Sequence, residues 1–436
     1  MTEYGGDEMT ETIKIDHLAR VEGHGGITVT LDNGRVDQVQ FDIFEGARLI
    51  EALVVGRLWA DIPHIVSRIC AICSAAHSLT AIKAIENAFG LKASPQTHRL
   101  RDLLYRGESI ESHALHVFLL AAPDYLDYPS AIALAADMPK VVKLGLRLKK
   151  LGNTIQEAIG GRAVHPVNAI VGGFGKTPSL EQLAALHRDL HLGVQDCEAM
   201  LGVLAGLPEA DFIHAPTVYA ALDTAGDYGY YAGTDIHLTS GATIPRDDYR
   251  KLTNEQPVGH SHAKHSHYDN QPFMVGSLAR VTLYGDKLSD KVKTAMKTLG
   301  LKVPSSNPMD NNKAQAVELL YDVEYALMLV EKMLRDKIKP EAPLEVKVKA
   351  GTGTAATEAP RGILFHSYTF DKSGHCTAAD VITPTAQNLA CAEYHFRAMV
   401  EQNRDKELPM LKKQLEMIAR AYDPCISCSV HLVEKK

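Results

Sequence analysis

Apolar and polar positions alternate through the first 44 residues, and the period then changes. Ile13 to Ile15, Ile27–Leu31 and Val36–Phe44 show the every-second-residue pattern of strands with one buried face. The second and third runs are joined through Asp32-Asn33-Gly34, whose Asn-Gly pair suits the left-handed backbone of a two-residue hairpin. From about Gln96 apolar residues recur at three- and four-residue spacing. That period predicts helices over Arg99–Leu120, Lys140–Ile159, Ser179–Leu204, Asp286–Leu299 and Ala314–Arg335. Pro139, Pro178, Pro308 and Pro340 punctuate their ends. Leu344–Val348, Ile363–Phe370 and Val381–Thr383 predict a second group of short strands, and Leu411–Tyr422 a last helix. The expected class is α+β and mainly helical, a central bundle of long helices with small peripheral sheets.

Composition narrows the function. No Pro/Gly/Ser-rich linker or internal repeat divides the 436 residues, so one domain is expected over 1–436. Within it lie an N-terminal hairpin region at 12–44 and a short tail at 432–436. A net charge of −7 argues against a nucleic-acid partner, which favours a basic face. No apolar run approaches the roughly 20 residues that span a bilayer. Met1 to Glu11 is polar and acidic, unlike a secretory signal, so a cytoplasmic protein is expected.

Seven cysteines are too few, and odd in number, for a disulfide framework. Their placement carries more. Cys70 and Cys73 form one C-x-x-C within Arg68-Ile69-Cys70-Ala71-Ile72-Cys73-Ser74-Ala75-Ala76-His77. Cys425 and Cys428 form another within Asp423-Pro424-Cys425-Ile426-Ser427-Cys428-Ser429-Val430-His431. Each pair can reach one metal from a single turn, and four thiolates suit zinc, nickel or iron. Three readings stand open: a structural zinc site, two separate redox dithiols, or one four-thiolate centre. A zinc ribbon usually separates its pairs by about 15–20 residues. Here most of the chain intervenes, which favours a single centre where the two chain ends meet. Cys197, Cys376 and Cys391 sit among apolar residues and read as small core side chains.

The two cysteine motifs, with Arg68, His77, Asp423 and His431 beside them, resemble the end motifs of the large subunit of nickel–iron hydrogenases. The likeness runs from about residue 12 to 431. Intervening landmarks fit it: Arg20-Val21-Glu22-Gly23-His24, His165-Pro166, Gly172-Gly173, Pro272-Phe273-Met274-Val275-Gly276, Glu358-Ala359-Pro360-Arg361-Gly362 and Pro384-Thr385. Among subgroups the wording is most similar to the cytosolic, multimeric NAD(P)-linked sulfhydrogenases. Cys73-Ser74-Ala75-Ala76-His77 and Ala263-Lys264-His265-Ser266-His267-Tyr268 carry that likeness, as does the C-terminal motif. Two positions depart from the family pattern. Ala71 stands where glycine is common, and Ser112 where many members have an acidic residue.

The resemblance implies a catalytic subunit that cleaves or forms H2 heterolytically. It makes Cys70 and Cys425 terminal ligands of nickel, and Cys73 and Cys428 bridges to an iron carrying CO and cyanide. Cys425 would accept the proton of H2 and Glu22 would take it onward. Arg361 would overhang the iron, oriented by Asp423, and Thr385 would hydrogen-bond a cyanide. Glu51 and His431 would hold a magnesium ion. The tail 432–436 would be removed by a maturation protease after nickel chaperones deliver the metal. The chain has no ferredoxin-like cysteine pattern and no dinucleotide fingerprint of its own. Electrons must therefore leave through partners: an iron–sulfur small subunit, then subunits carrying further Fe-S clusters, FAD and the NADP site. Polysulfide reduction is a further expected activity. The competing readings are a hydrogenase feeding a deazaflavin or a heterodisulfide reductase, and a non-catalytic hydrogenase-like scaffold. Retention of all four cysteines argues against the scaffold. The cluster His260, His262, His265 and His267 reads as a polar surface or interface rather than a second metal site.

Overall fold

A computed structural model of the chain describes residues 10–46, 49–223 and 228–430. The N-terminal alternation forms an antiparallel sheet of β1 (Thr10–Ile15), β2 (Gly25–Asp32) and β3 (Arg35–Ile43), in that order. Asp32 faces Arg35 across the hairpin, and Asn33 and Gly34 both have positive φ, as their identities require. Ile27, Val29, Phe41 and Ile43 are buried on the inner face.

The helices of eight residues or more are α1 (Ser74–Phe89), α2 (Pro95–Leu115), α3 (Pro139–Gly160), α4 (Leu180–Leu204), α5 (Ser277–Tyr284), α6 (Asp290–Thr298), α7 (Asp310–Asp336), α8 (Pro384–Gln402) and α9 (Leu408–Ala421). The expected bundle is present: α2, α3, α4 and α7 pack on one another. Ser179 starts α4 with a reciprocal cap, accepting from the Gln182 N–H while Gln182 accepts from its own. Past Leu115, α2 widens into a π-helical turn over His116–Ala121.

The remaining strands are β4 (Val218–Leu222), β5 (Asp235–Leu238), β6 (Thr243–Pro245), β7 (Gly351–Ala359), β8 (Gly362–Phe370) and β9 (Cys376–Ile382). β7, β8 and β9 make an antiparallel sheet in that order. A further sheet runs β6-β5-β4 and ends on Phe273–Met274, which pairs parallel to β4, and Ala169–Ile170 pairs with Gly173–Phe174 in a two-stranded one. Among the described residues, no helix is long and apolar enough to cross a membrane.

The structure corrects the sequence reading at several places. Leu344–Val348 is not a strand: it has no strand partner, and Leu344 and Val348 stay exposed. The strand lies instead at β7, whose sequence GTGTAATEA lacks large apolar residues. Small residues are needed there because α1 packs directly on it, and a Cβ at Gly353 would collide with the backbone of Ala84 and Ala88. Helices α1, α5 and α8 were not anticipated. α1 and α8 are buried on nearly every side, which removes the amphipathic stripe.

His395 fastens α8 to the segment preceding the C-terminal cysteines. It is fully buried, with Nε2 2.8 Å from the Thr217 hydroxyl and Nδ1 2.7 Å from the Tyr422 hydroxyl. Burial pushes its pKa down to about 3. A histidine kept neutral in the fold contributes stability above its unfolded pKa, and that contribution is lost as pH falls. Between pH 6.5 and 4.5 the loss from this one group is about 2 kcal/mol. Urea unfolding over that range should show a shallower pH dependence for His395→Gln than for the parent. Equal slopes would remove His395 as the cause.

Candidate metal centre

Both cysteine motifs are held by contacts from distant parts of the chain. Cys70 ends a short turn in extended backbone, and Cys73 caps α1. The Cys73 N–H points at the Cys70 sulfur, 3.3 Å away. Glu108, buried on α2, accepts from the N–H groups of Ala75 (2.6 Å) and Ala76 (3.0 Å) and so fixes the start of α1. The Ser74 hydroxyl accepts from the His165 N–H at 2.9 Å, and the His165 ring reaches the Ser67 carbonyl at 2.8 Å. The His165-Pro166 landmark is therefore a clamp on the first cysteine loop.

The second motif is seated against the N-terminal segment. The Ile426 N–H donates to the Glu22 carbonyl at 3.0 Å, which pairs Glu22 with Cys425 in a parallel bridge. The Glu22 carboxylate accepts from the Ser427 N–H at 3.0 Å and from the Ser427 hydroxyl. Gly23 makes this approach possible. Its φ is +87°, and a Cβ there would lie 2.7 Å from Ile426 Cβ and 2.9 Å from the Ser427 nitrogen. Thr385, at the start of α8, accepts from the Cys425 N–H at 3.0 Å, while the Thr383 hydroxyl donates to the Cys428 carbonyl at 3.1 Å.

These contacts bring the four sulfurs within 4.8 Å of one another, all buried. Cys425 lies 3.3 Å from Cys70, Cys428 lies 3.6 Å from Cys73, and the Cys425 and Cys428 sulfurs touch. The expected meeting of the chain ends is the central feature of the fold. The Cys70 thiol is held below the ordinary thiol range by the hydrogen bond from Cys73, against burial and with Arg361 beside it.

Arg361 sits at the tip of the β7–β8 hairpin, buried. Its Nε donates to the Asp423 carbonyl at 2.6 Å and its Nη2 to the Asp423 carboxylate at 2.9 Å. Burial opposes its charge, but Asp423 and the cysteine thiolates outweigh that and hold it above the ordinary arginine range. Its Nη1 has no hydrogen-bond partner among the described residues. Arg361 lines a small cavity together with Thr385, Cys73, Cys425, Cys428 and the apolar Ala359, Leu364 and Pro384. The donor set suits nickel and iron: three cysteine sulfurs line the cavity, Cys70 lies 3.3 Å from Cys425 behind them, and Arg361, which also lines it, has a guanidinium nitrogen without a partner among the described residues. The Thr385 hydroxyl, which accepts from Cys425, retains its own proton to donate.

Several positioning residues escaped the sequence reading. Gln315 on α7 donates to the second Asp423 oxygen at 3.0 Å and meets His116 from the π-turn. His116 in turn reaches the Arg420 carbonyl at 2.7 Å. Arg280 on α5 donates to the carbonyls of Ala359 (3.1 Å) and Pro360 (2.9 Å), so it holds the hairpin that carries Arg361. It also pairs with Glu318 (2.7 Å) and Glu358 (2.8 Å). Burial raises the Glu358 carboxyl to about 7, with Arg280 opposing. No local motif marks Gln315, His116 or Arg280, since each acts across the fold. The π-turn itself is the kind of irregularity that accompanies functional sites.

Glu51 lies apart from the cysteines, on a short helical turn, and accepts from the Val381 N–H at 2.7 Å. Burial raises it to about 7, with Asp380 adding and Lys264 opposing. His431 and the tail 432–436 lie outside the described residues. Val430 is bridged to Ala263, next to Lys264, so the described end of the chain runs toward the Glu51 neighbourhood. The histidine cluster, expected at a polar surface or interface, is partly drawn inward. His260 is 2.7 Å from Glu393 and His265 is buried 3.7 Å from the same carboxylate, because Glu393 on α8 draws both inward. His262 meets the Glu45 carbonyl, and the His267 N–H donates to Asn254. Cys197, Cys376 and Cys391 are buried, as expected.

The fold and the buried four-thiolate cluster define the metal-binding subunit of a redox enzyme. The family model described as nickel-dependent hydrogenase matches residues 48–158 and 219–431, and a HoxL-like model matches 12–45. The chain is 41% identical to sulfhydrogenase 1 subunit alpha of Pyrococcus furiosus over 97% of its own length and 98% of that protein. Sulfhydrogenase 2 subunit alpha of the same organism is 38% identical, over 97% and 99%. Among solved structures, an NAD+-reducing nickel–iron hydrogenase in its H2-reduced state superimposes with a TM-score of 0.86 at 27% identity, covering 98% of this chain and 100% of that one. The chain belongs to the nickel-dependent hydrogenase family. It is a catalytic hydrogenase subunit, an oxidoreductase acting on H2, of a family that uses nickel and iron.

Proposed function

We propose that this chain cleaves and forms H2 for a multi-subunit enzyme coupled to NADP(H), and that its residues divide the work as follows. Cys70, Cys73, Cys425 and Cys428 would together hold the nickel and the iron through their sulfurs. When bound, a nickel–iron centre with CO and cyanide on the iron supplies the electron-pair acceptor that H2 cleavage requires. Cys425 takes the proton. Glu22 receives it, since the parallel bridge places Glu22 beside Cys425 and Ser427 fixes its carboxylate from two sides. Arg361 presents Nη1 to the cavity while Asp423 fixes the rest of its guanidinium, and Thr385 offers its hydroxyl proton to a cyanide. Glu51 and His431 hold magnesium near the chain end, an assignment supported by the path of Val430 past Lys264.

The acceptor is read from the relatives. Two sulfhydrogenase alpha subunits and the subunit of an NAD+-reducing enzyme favour NADP(H), with polysulfide as a second acceptor. Electrons reach it through an iron–sulfur small subunit and FAD-bearing subunits, in a cytoplasmic complex whose tail 432–436 is removed on maturation. The observation that carries the proposal is the convergence of four buried sulfurs from both chain ends. Its test is an infrared spectrum of the purified native complex in the CO and cyanide region, with nickel quantified on the same sample. CO and cyanide bands together with nickel bound to the chain are expected. Zinc in place of nickel, with no such bands, would leave a scaffold rather than a catalyst.

A further inference from the structure

His187 and His191 are one helical turn apart on α4, and Glu331 faces them from α7. We propose that these three side chains form a divalent transition-metal site of the zinc class, separate from the catalytic centre, that clamps α4 to α7.

The geometry is that of ligands arranged around a missing point. His187 Nε2 lies 3.2 Å from His191 Nε2 and 3.3 Å from Glu331 Oε1, and all three ligand atoms fall within 4.8 Å of one another. Zinc bonds nitrogen and carboxylate oxygen at about 2.0–2.1 Å, so neighbouring ligands around a tetrahedral ion sit about 3.3–3.4 Å apart. Two of the three edges already match.

Hydrogen bonding alone serves the group poorly. His187 Nε2 faces two partners. If it carries a proton, that one proton is shared between Glu331 and the His191 lone pair. If it is bare, it can accept from His191 but then points a lone pair at a carboxylate. A cation bonded to all three removes the conflict. Spacing of i and i+4 puts both rings on one helix face, and the rings already meet edge to face with centroids 4.5 Å apart.

The donor set selects the ion. Two imidazoles and one carboxylate suit zinc, and by the same preference nickel or copper, whereas magnesium and calcium prefer all-oxygen sites. The partly exposed side chains of His187 and Glu331 leave a fourth position open to water. Glu331 is sixteen residues along α7 from Gln315, the residue that touches Asp423, which is about 24 Å at the helical rise. The site therefore acts on the bundle rather than on H2. An ion there ties two of its four helices together and raises resistance to unfolding.

Zinc titration of the purified native complex tests this by comparing the parent with His187→Ala and His191→Ala. Alanine suits an exposed helix position, so both variants should fold and turn over H2 as the parent does without added zinc. The parent should take up one more zinc per chain than either variant, or bind it about 100-fold more tightly, given that losing even an outer partner of a metal ligand costs 10–100-fold. Equal zinc stoichiometry and affinity in the parent and in a His187→Ala/His191→Ala double variant would overturn the assignment. So would a zinc-soaked crystal with no anomalous peak between the three side chains.

Discussion

Arg361→Lys should lower H2 turnover roughly 100- to 1000-fold, the range seen when one preorganised donor to a developing charge is removed, while nickel content stays at the parental level. The reason lies in the fork of the guanidinium. Nε and Nη2 are committed to the carbonyl and carboxylate of Asp423, and only Nη1 remains for the cavity. Lysine keeps the charge but has one nitrogen where arginine has three. It can satisfy Asp423 or face the cavity, but not both in the same geometry. The measurement is H2 oxidation by the variant complex beside its metal content and infrared spectrum. Turnover close to the parent's, with intact metal, would mean that Arg361 serves only to hold Asp423.

Glu22→Gln should cost about 100- to 10,000-fold in turnover, the span of a lost proton-transfer group, and should leave the cluster assembled. Glutamine can still accept from the Ser427 N–H and donate to the Ser427 hydroxyl, so the seat of the second cysteine motif survives. It cannot take a proton from Cys425 and pass it on. Glu22→Asp, which keeps the acid on a shorter arm, should recover part of the rate. Loss of nickel in Glu22→Gln would show that the carboxylate is needed for assembly rather than for proton movement.

Much of the site was legible because it is written in residue types with narrow chemistry. Two C-x-x-C pairs with an Asp-Pro before one and a histidine after each leave few readings, and the structure joins them as expected. Asp32-Asn33-Gly34 was legible for a similar reason, since only such residues accept two consecutive positive φ values. α3 and α4 were legible because each keeps an exposed polar face, and α2 and α7 because polar residues recur along them even where they are buried. What failed was whatever is buried all round. α1 carries the first cysteine pair at its start, yet its surroundings erase its periodicity. β7 carries the hairpin of Arg361, yet close packing against α1 forces glycine and alanine where a strand normally shows large apolar residues. Arg280, Gln315 and His116 act across the fold, from 38 to 304 residues away in sequence from the residues they hold or meet. Such dependence has no local trace.

The pairing of Glu22 with Cys425 also bears on how the molecule comes into being. Synthesis is vectorial and earlier segments generally fold first. The long helices can collapse while the ribosome is still adding residues, because their partners lie within a few hundred positions behind them. The seat around Gly23 has no occupant until the last cysteine pair emerges. Pairing over such a separation carries a large loop-closure cost and is a late event in folding. Until the last cysteine pair is made, then, Cys70 and Cys73 lack the two sulfurs that complete the cluster. Docking of the C-terminal segment against Glu22 and Gly23 is the step that closes the site.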